Sequence, residues 1–151
     1  MKEFNNINDV LDFAIGEEQA AVDFYLKLAD LSKNESIKKA FHEFAEEEMA
    51  HKAKLMEVKA DGPAVFGTEK AEDMKLSDYL VDVKYRPDMS YEEALILVMK
   101  KEKAAFKLYT ALADRAQQPE MREMFLHLAQ EESKHKLSFE IEYDDHILRE
   151  N

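Results

Sequence analysis

Two stretches of this sequence, FAEEEMAHKAKL (Phe44 to Leu55) and LAQEESKHKLSF (Leu128 to Phe139), each place a glutamate three residues before a histidine. Three residues turn a helix by about 300°, so Glu48 and His51 point from nearly the same face, as do Glu132 and His135. That face also carries Phe41, Phe44 and Leu55, the stripe that should be buried. Two further glutamates break apolar stripes in the same way. Glu18 sits between Ile15 and Val22, and Glu102 between Val98 or Met99 and Phe106. Four carboxylates and two imidazoles are thus expected to converge in one protein interior. Four ionised carboxylates would lose their hydration and repel one another there, a prohibitive cost without compensation. Two divalent cations would cancel the four charges, and two neutral imidazoles would leave one nitrogen ligand for each. The mixed oxygen and nitrogen set suits iron or manganese better than a thiolate-seeking metal, with zinc chemically compatible.

The elements that must hold these residues are helices. The chain has 151 residues, the size of one domain, with only three Gly and three Pro and abundant Ala, Leu, Lys and Glu. Apolar spacing predicts a first helix from about Asn8, its expected cap, to Leu31. A second is predicted from about Glu35 to Lys59, stopping at the DGP terminator. Residues 61–89 are less regular and hold Gly62, Pro63, Gly67 and Pro87; within them KLSDYLVDV is expected to form a short helix. A connection of roughly thirty residues is long for a loop, which fits a crossover carrying the chain from one end of a bundle to the other. Ser90 and Glu93 form a capping box for a third helix reaching about Asp114, and Pro119 suits the first turn of a fourth reaching about Ile147. The expected organisation is one domain, 1–151, made of hairpin 8–60, crossover 61–89 and hairpin 90–147.

The two hairpins are copies of each other. An offset of 84 residues links Glu18 with Glu102, Tyr25 with Tyr109, Phe41 with Phe125, Ala45 with Ala129, Glu48 with Glu132 and His51 with His135, without a gap. The register survives the loop inside each half, which marks an internal duplication and predicts an all-α four-helix bundle with approximate two-fold symmetry.

Several classes are disfavoured. A formal net charge of -12, from 21 Lys and Arg against 33 Asp and Glu, argues against nucleic acid or an anionic membrane as partner. With no Cys, the chain offers neither disulfides nor thiolate-bound iron. The N-terminus has no secretory apolar region and the longest apolar run is too short to span a bilayer, so a cytoplasmic location is the default expectation. Of the other candidates, Glu17, Glu47 and Glu131 adjoin proposed ligands but point about 100° away, toward an expected solvated face. His42 and His127 have no counterparts in the repeat and are expected at the surface or its boundary. His146 lies about 16 Å along the helix from His135, too far to join the same site. The methionines are expected as core filler.

Here the sequence resembles the ferritin-like di-iron carboxylate superfamily, and within it rubrerythrin-type domains. The resemblance rests on Glu18 in GEEQAAVDFY, EMAH from Glu48 to His51, Glu102 in KEKAAFKLY and ESKH from Glu132 to His135, with a Tyr seven residues after each lone Glu. The ligand set characteristic of such bundles is one Glu from each of two helices and Glu-x-x-His from each of the other two. The resemblance implies that Glu18, Glu48, His51, Glu102, Glu132 and His135 bind two irons, with Glu48 and Glu132 bridging. Tyr25 and Tyr109 would either hydrogen-bond a ligand carboxylate across the core or simply pack there. The implied activity is reduction of hydrogen peroxide or reaction with dioxygen, in keeping with a role in oxidative stress. Alternatives are a ferroxidase that handles iron and a metal-binding structural module without turnover. Two departures bear on this. Ala105 stands where the family looks to carry another Glu, which touches its redox-linked ligand exchange, and the absent four-cysteine iron site means that electrons must come from a separate donor protein. A homodimer or larger assembly is also implied, and Val65, Phe66, Tyr79 and Leu80 would either supply a contact surface or pack on their own bundle.

Overall fold

The structure, a computed structural model, describes residues 6–61, 74–81 and 84–150. Four long helices dominate: α1 (Ile7–Leu31), α2 (Glu35–Asp61), α3 (Tyr91–Arg115) and α4 (Pro119–Glu150). The cap of α1 is Asn6 and not Asn8; its side chain accepts a hydrogen bond from the Asp9 N–H at 2.9 Å. Asn34 caps α2 by accepting from the N–H groups of Ser36 and Ile37. The Ser90 and Glu93 capping box forms as expected, each side chain bonding the other's backbone N–H. The short helix expected in KLSDYLVDV is only a 3-10 turn, Leu76–Asp78. One turn without a long apolar stripe gains too little packing to extend.

Helices α1 and α2 form one hairpin, α3 and α4 the other, and α1 also meets α3. Two apolar clusters fill the interior. The lower joins Leu11 and Ala14 of α1 to Leu55 of α2, Leu112 of α3 and Phe125 of α4. The upper joins Tyr25 and Leu28 to Phe41, Leu95 and Phe139. The start of α1 therefore lies beside the end of α3, so these helices run antiparallel. Helix α2 ends at the lower level and α3 begins at the upper one. The connection between them must climb the bundle: Met74 and Tyr79 belong to the lower cluster and Met89 to the upper. This is the crossover that the sequence predicts.

The 84-residue repeat is also a repeat of burial. Each of the pairs Tyr25 and Tyr109, Leu28 and Leu112, Phe41 and Phe125, and Ala45 and Ala129 is buried on both sides. Some expectations need correction. Phe106 is 41% exposed, off the stripe that holds Glu102, so Phe106 lies past the edge of the buried arc. Met49 and Met56 are exposed and fill no core, whereas Met74 and Met89 do. Tyr79 is buried against its own bundle and Leu80 is exposed, while Val65 and Phe66 lie outside the described residues. Among the described residues no helix is long and apolar enough to cross a membrane.

Candidate metal centre

Between the two apolar clusters every helix contributes polar side chains at the same level. Glu18 comes from α1, Glu48 and His51 from α2, Glu102 from α3, and Glu132 and His135 from α4, none of them more than 3% exposed. The helical periods that bury Val22 and Leu11 on α1 necessarily bury Glu18 between them. All six candidate residues are brought together.

They form two overlapping groups. One is Glu18, Glu48, His51 and Glu132; the other is Glu48, Glu102, Glu132 and His135, and within each group one ligand-type atom per residue lies within 4.8 Å of the others. Glu48 and Glu132 belong to both. Each histidine turns Nδ1 inward. His51 Nδ1 is 2.8 Å from Glu132 Oε1, 3.3 Å from Glu48 Oε1 and 3.8 Å from Glu18 Oε2. His135 Nδ1 is 3.2 Å from Glu48 Oε1 and 3.9 Å from Glu102 Oε2.

The electrostatics express a surplus of negative charge. Burial, then the charges of Glu132 and Glu48, push Glu18 well above the usual carboxylate range. Burial, then Glu102 and Glu48, do the same to Glu132. Burial chiefly, with a contribution from Glu18, pushes Glu102 up to about 8. Burial also acts upward on Glu48, but the close approach of His135 and His51, 3.2 and 3.3 Å from its Oε1, outweighs it and holds that carboxyl well below the usual range. Burial disfavours a charged His51, yet its hydrogen bond with Glu132 and the nearby Glu48 carboxylate prevail and push it up to about 11. His135 is raised on the same pattern, through Glu48 and Glu47. Without a cation, then, the cluster holds protons in its place. Even so, Glu18 Oε2, Glu48 Oε1, Glu102 Oε2, Glu132 Oε2 and His135 Nδ1 are buried with no hydrogen-bond partner. Unsatisfied acceptors gathered at one point are costly, and they are the donor set that hard or borderline divalent cations take up. The residues fit a pair of such ions.

The two tyrosines differ despite their symmetry. The Tyr109 hydroxyl donates to Glu18 Oε1 across the α1 to α3 seam. The Tyr25 hydroxyl is buried without a partner, and its ring packs edge-on against Phe44 and His135. Glu131 is largely covered and departs from the expected solvated face, whereas Glu47 keeps that face, half-exposed, and still reaches a histidine. Glu131 Oε2 lies 2.7 Å from His51 Nε2, and Glu47 Oε2 contacts His135 Nε2. A residue one step from a buried ligand points about 100° round the helix, which here places Glu131 in the seam between α2 and α4 and Glu47 at its solvent-exposed rim. The repeat carried a signal for this, because Glu47 and Glu131 are themselves 84 residues apart. Glu17 instead faces Lys101, 3.7 Å away. His42 and His127 are exposed, His127 reaching Glu131, and His146 sits apart beside Glu92 and Tyr91.

A cavity of about 30 Å³ opens beside the four carboxylates between α1 and α3, walled by Ala21, Ala104 and Ala105 and lined at one side by Glu17 and Lys101. That volume admits one or two water-sized molecules.

The sequence profile of the rubrerythrin family matches residues 9–82 and 93–150. The chain belongs to the rubrerythrin family. Solved structures agree on the fold of this rubrerythrin-family chain. A candidate ferritin-like diiron-carboxylate protein from Thermotoga maritima superposes with a TM-score of 0.78 at 22% identity, covering 92% of this chain and 95% of that one. A hypothetical protein from Pyrococcus furiosus gives 0.70 at 24% identity, covering 92% and 89%. No curated protein matches the sequence. The fold is thus a ferritin-like four-helix bundle, and its acidic and histidine cluster is a candidate metal site.

Proposed function

We propose that this chain is a non-haem di-iron oxidoreductase that reduces hydrogen peroxide or reacts with dioxygen. The observation that carries the reading is the sharing of Glu48 and Glu132 between two otherwise separate ligand groups. A carboxylate common to both groups would be available to both cations. Glu18 with His51, and Glu102 with His135, would then complete one position each, so that both hairpins serve both metals. Bound iron would supply the two electrons that convert hydrogen peroxide and two protons into two waters.

The protein's own part is positioning and exclusion. Tyr109 donates to Glu18 and so fixes which oxygen of that carboxylate remains free for a cation. The cavity beside the carboxylates has room for a two-atom oxidant and none for a sizeable organic substrate. Lys101 and Glu17 line its edge, within reach of water, where protons can be exchanged. With no Cys in the chain, re-reduction falls to a separate donor protein.

The test begins with metal analysis of the protein as purified. Anaerobic ferrous loading and stopped-flow absorbance with peroxide, and separately with oxygen, follow. About two irons per chain, oxidised faster by peroxide than by oxygen, is the expected result. Glu48→Ala should abolish the fast phase. An unchanged fast phase in that variant, or redox-inert metal such as zinc in the native protein, would refute the proposal. Oxidation by oxygen alone would redirect it to iron oxidation.

A further inference from the structure

We infer that Glu47 and Glu131 are positioning residues that brace the two histidines crosswise, each hairpin orienting the imidazole of the other. This rests on the metal-binding reading of the site and adds to it two residues outside the six-residue ligand set.

The geometry is reciprocal. Glu131 on α4 reaches His51 on α2, and Glu47 on α2 reaches His135 on α4. In both cases the contact is to Nε2, the ring nitrogen facing away from the carboxylate cluster, while Nδ1 faces into it. A neutral imidazole binds a cation through its unprotonated nitrogen. For Nδ1 to be that nitrogen, the proton must reside on Nε2, and an N–H there needs an acceptor. Glu131 and Glu47 supply it, holding the ring plane and keeping the proton on Nε2, so that Nδ1 is the nitrogen that gives up its proton for a cation. The two imidazoles lie nearly parallel, 19° between planes and 6.4 Å between centroids, as expected for rings clamped in the same way.

Each clamp joins a buried histidine to a carboxylate nearer the surface. Both histidine side chains are nearly buried, 4% exposed for His51 and 3% for His135, while Glu131 is 26% exposed and Glu47 50%. Glu131 is fixed from its other side too, since His127 Nε2 approaches Oε1 at 2.5 Å. Other glutamates nearby make no such contact with the imidazoles: Glu46 is exposed, and Glu17 faces Lys101.

Cobalt(II) provides a visible probe of the site that does not depend on turnover. Its affinity for the full chain should fall about 10- to 100-fold in Glu47→Ala and in Glu131→Ala, with the d–d bands altered. Glu46→Ala, which removes the same charge from the solvent side, should change affinity less than about twofold. Glu131→Gln should recover part of the loss, because the amide oxygen still accepts from Nε2–H. The crosswise assignment is read from a double-mutant cycle. Glu131→Ala should cost little more once His51 is already Ala, and should cost its full factor when His135 is Ala. Equal losses in the two backgrounds, or losses no larger than that of Glu46→Ala, would overturn the inference. Far-ultraviolet circular dichroism of each metal-free variant checks that the bundle persists. A wild-type chain that takes up no cobalt would overturn the metal site itself, an outcome distinct from wild-type binding that Glu47 and Glu131 do not influence.

Discussion

Replacing Glu102 with glutamine should stabilise the metal-free chain at neutral pH while weakening the metal-bound one. Glu102 is 2% exposed, and burial, with help from the charge of Glu18, pushes its carboxyl from 4.5 up to about 8. The folded state therefore holds this proton more tightly than the unfolded state does. Stability from the neutral carboxyl is fully present below pH 4.5 and is lost as pH rises toward about 8. At pH 7 the loss is about 3 kcal/mol, from 1.36 kcal/mol for each unit of pKa difference traversed. Glutamine has the same shape and never ionises. Metal-free Glu102→Gln should then melt higher than wild type at pH 7 by as much as ~10 °C, at a few degrees per kcal/mol for a chain of this size. At pH 4 the two should coincide. With iron(II) or zinc added the order should reverse, because the amide brings no charge to a cation. The assay is thermal unfolding followed by circular dichroism across this pH range, with and without metal. A Glu102→Gln variant no more stable than wild type at pH 7, or equally shifted at pH 4, would refute the reasoning that unpaired buried carboxylates destabilise the empty site.

Metal uptake should release protons, because Glu18, Glu102, Glu132 and His51 all hold theirs more strongly than usual in the empty cluster. Affinity should accordingly rise between pH 6 and 8, and an indicator dye that records no proton release on zinc addition would contradict this. Tyr109→Phe should weaken metal binding roughly 10-fold by freeing Glu18. Tyr25→Phe should leave binding unchanged, since that hydroxyl has no partner; equal effects in titration calorimetry would show the asymmetry to be unimportant. Phe139 is fully buried against Tyr25, Phe41 and Phe44, so Phe139→Ala should cost about 3–5 kcal/mol in urea unfolding. A cost below about 1 kcal/mol would place that side chain outside the upper core.

The helices, their approximate ends and the convergence of Glu18, Glu48, His51, Glu102, Glu132 and His135 were legible from the sequence, because helical periodicity is local and the 84-residue repeat states it twice. Periodicity also assigns faces only coarsely. Phe106 was expected on the buried stripe and is exposed, since which side of a stripe is covered depends on where the neighbouring helix crosses. Likewise the short helix expected in the crossover is only a 3-10 turn at Leu76–Asp78, because so short a segment gains too little packing to extend.

What the sequence by itself determined was the ligand-type inventory and the symmetry: side chains at fixed helical intervals must share a face, and a gapless repeat must build that face twice. What only the tertiary structure decided was how the two copies meet. It set Nδ1 of each histidine inward, placed Glu48 and Glu132 in both ligand groups, and brought Glu131, and the half-exposed Glu47, to the histidine of the opposite hairpin. It also broke the symmetry, giving Tyr109 a carboxylate and Tyr25 none. The physical reason is one of range. Helix period is set by backbone bonds four residues apart, whereas a contact 80 residues distant along the chain depends on the crossing of two helices that no local rule specifies.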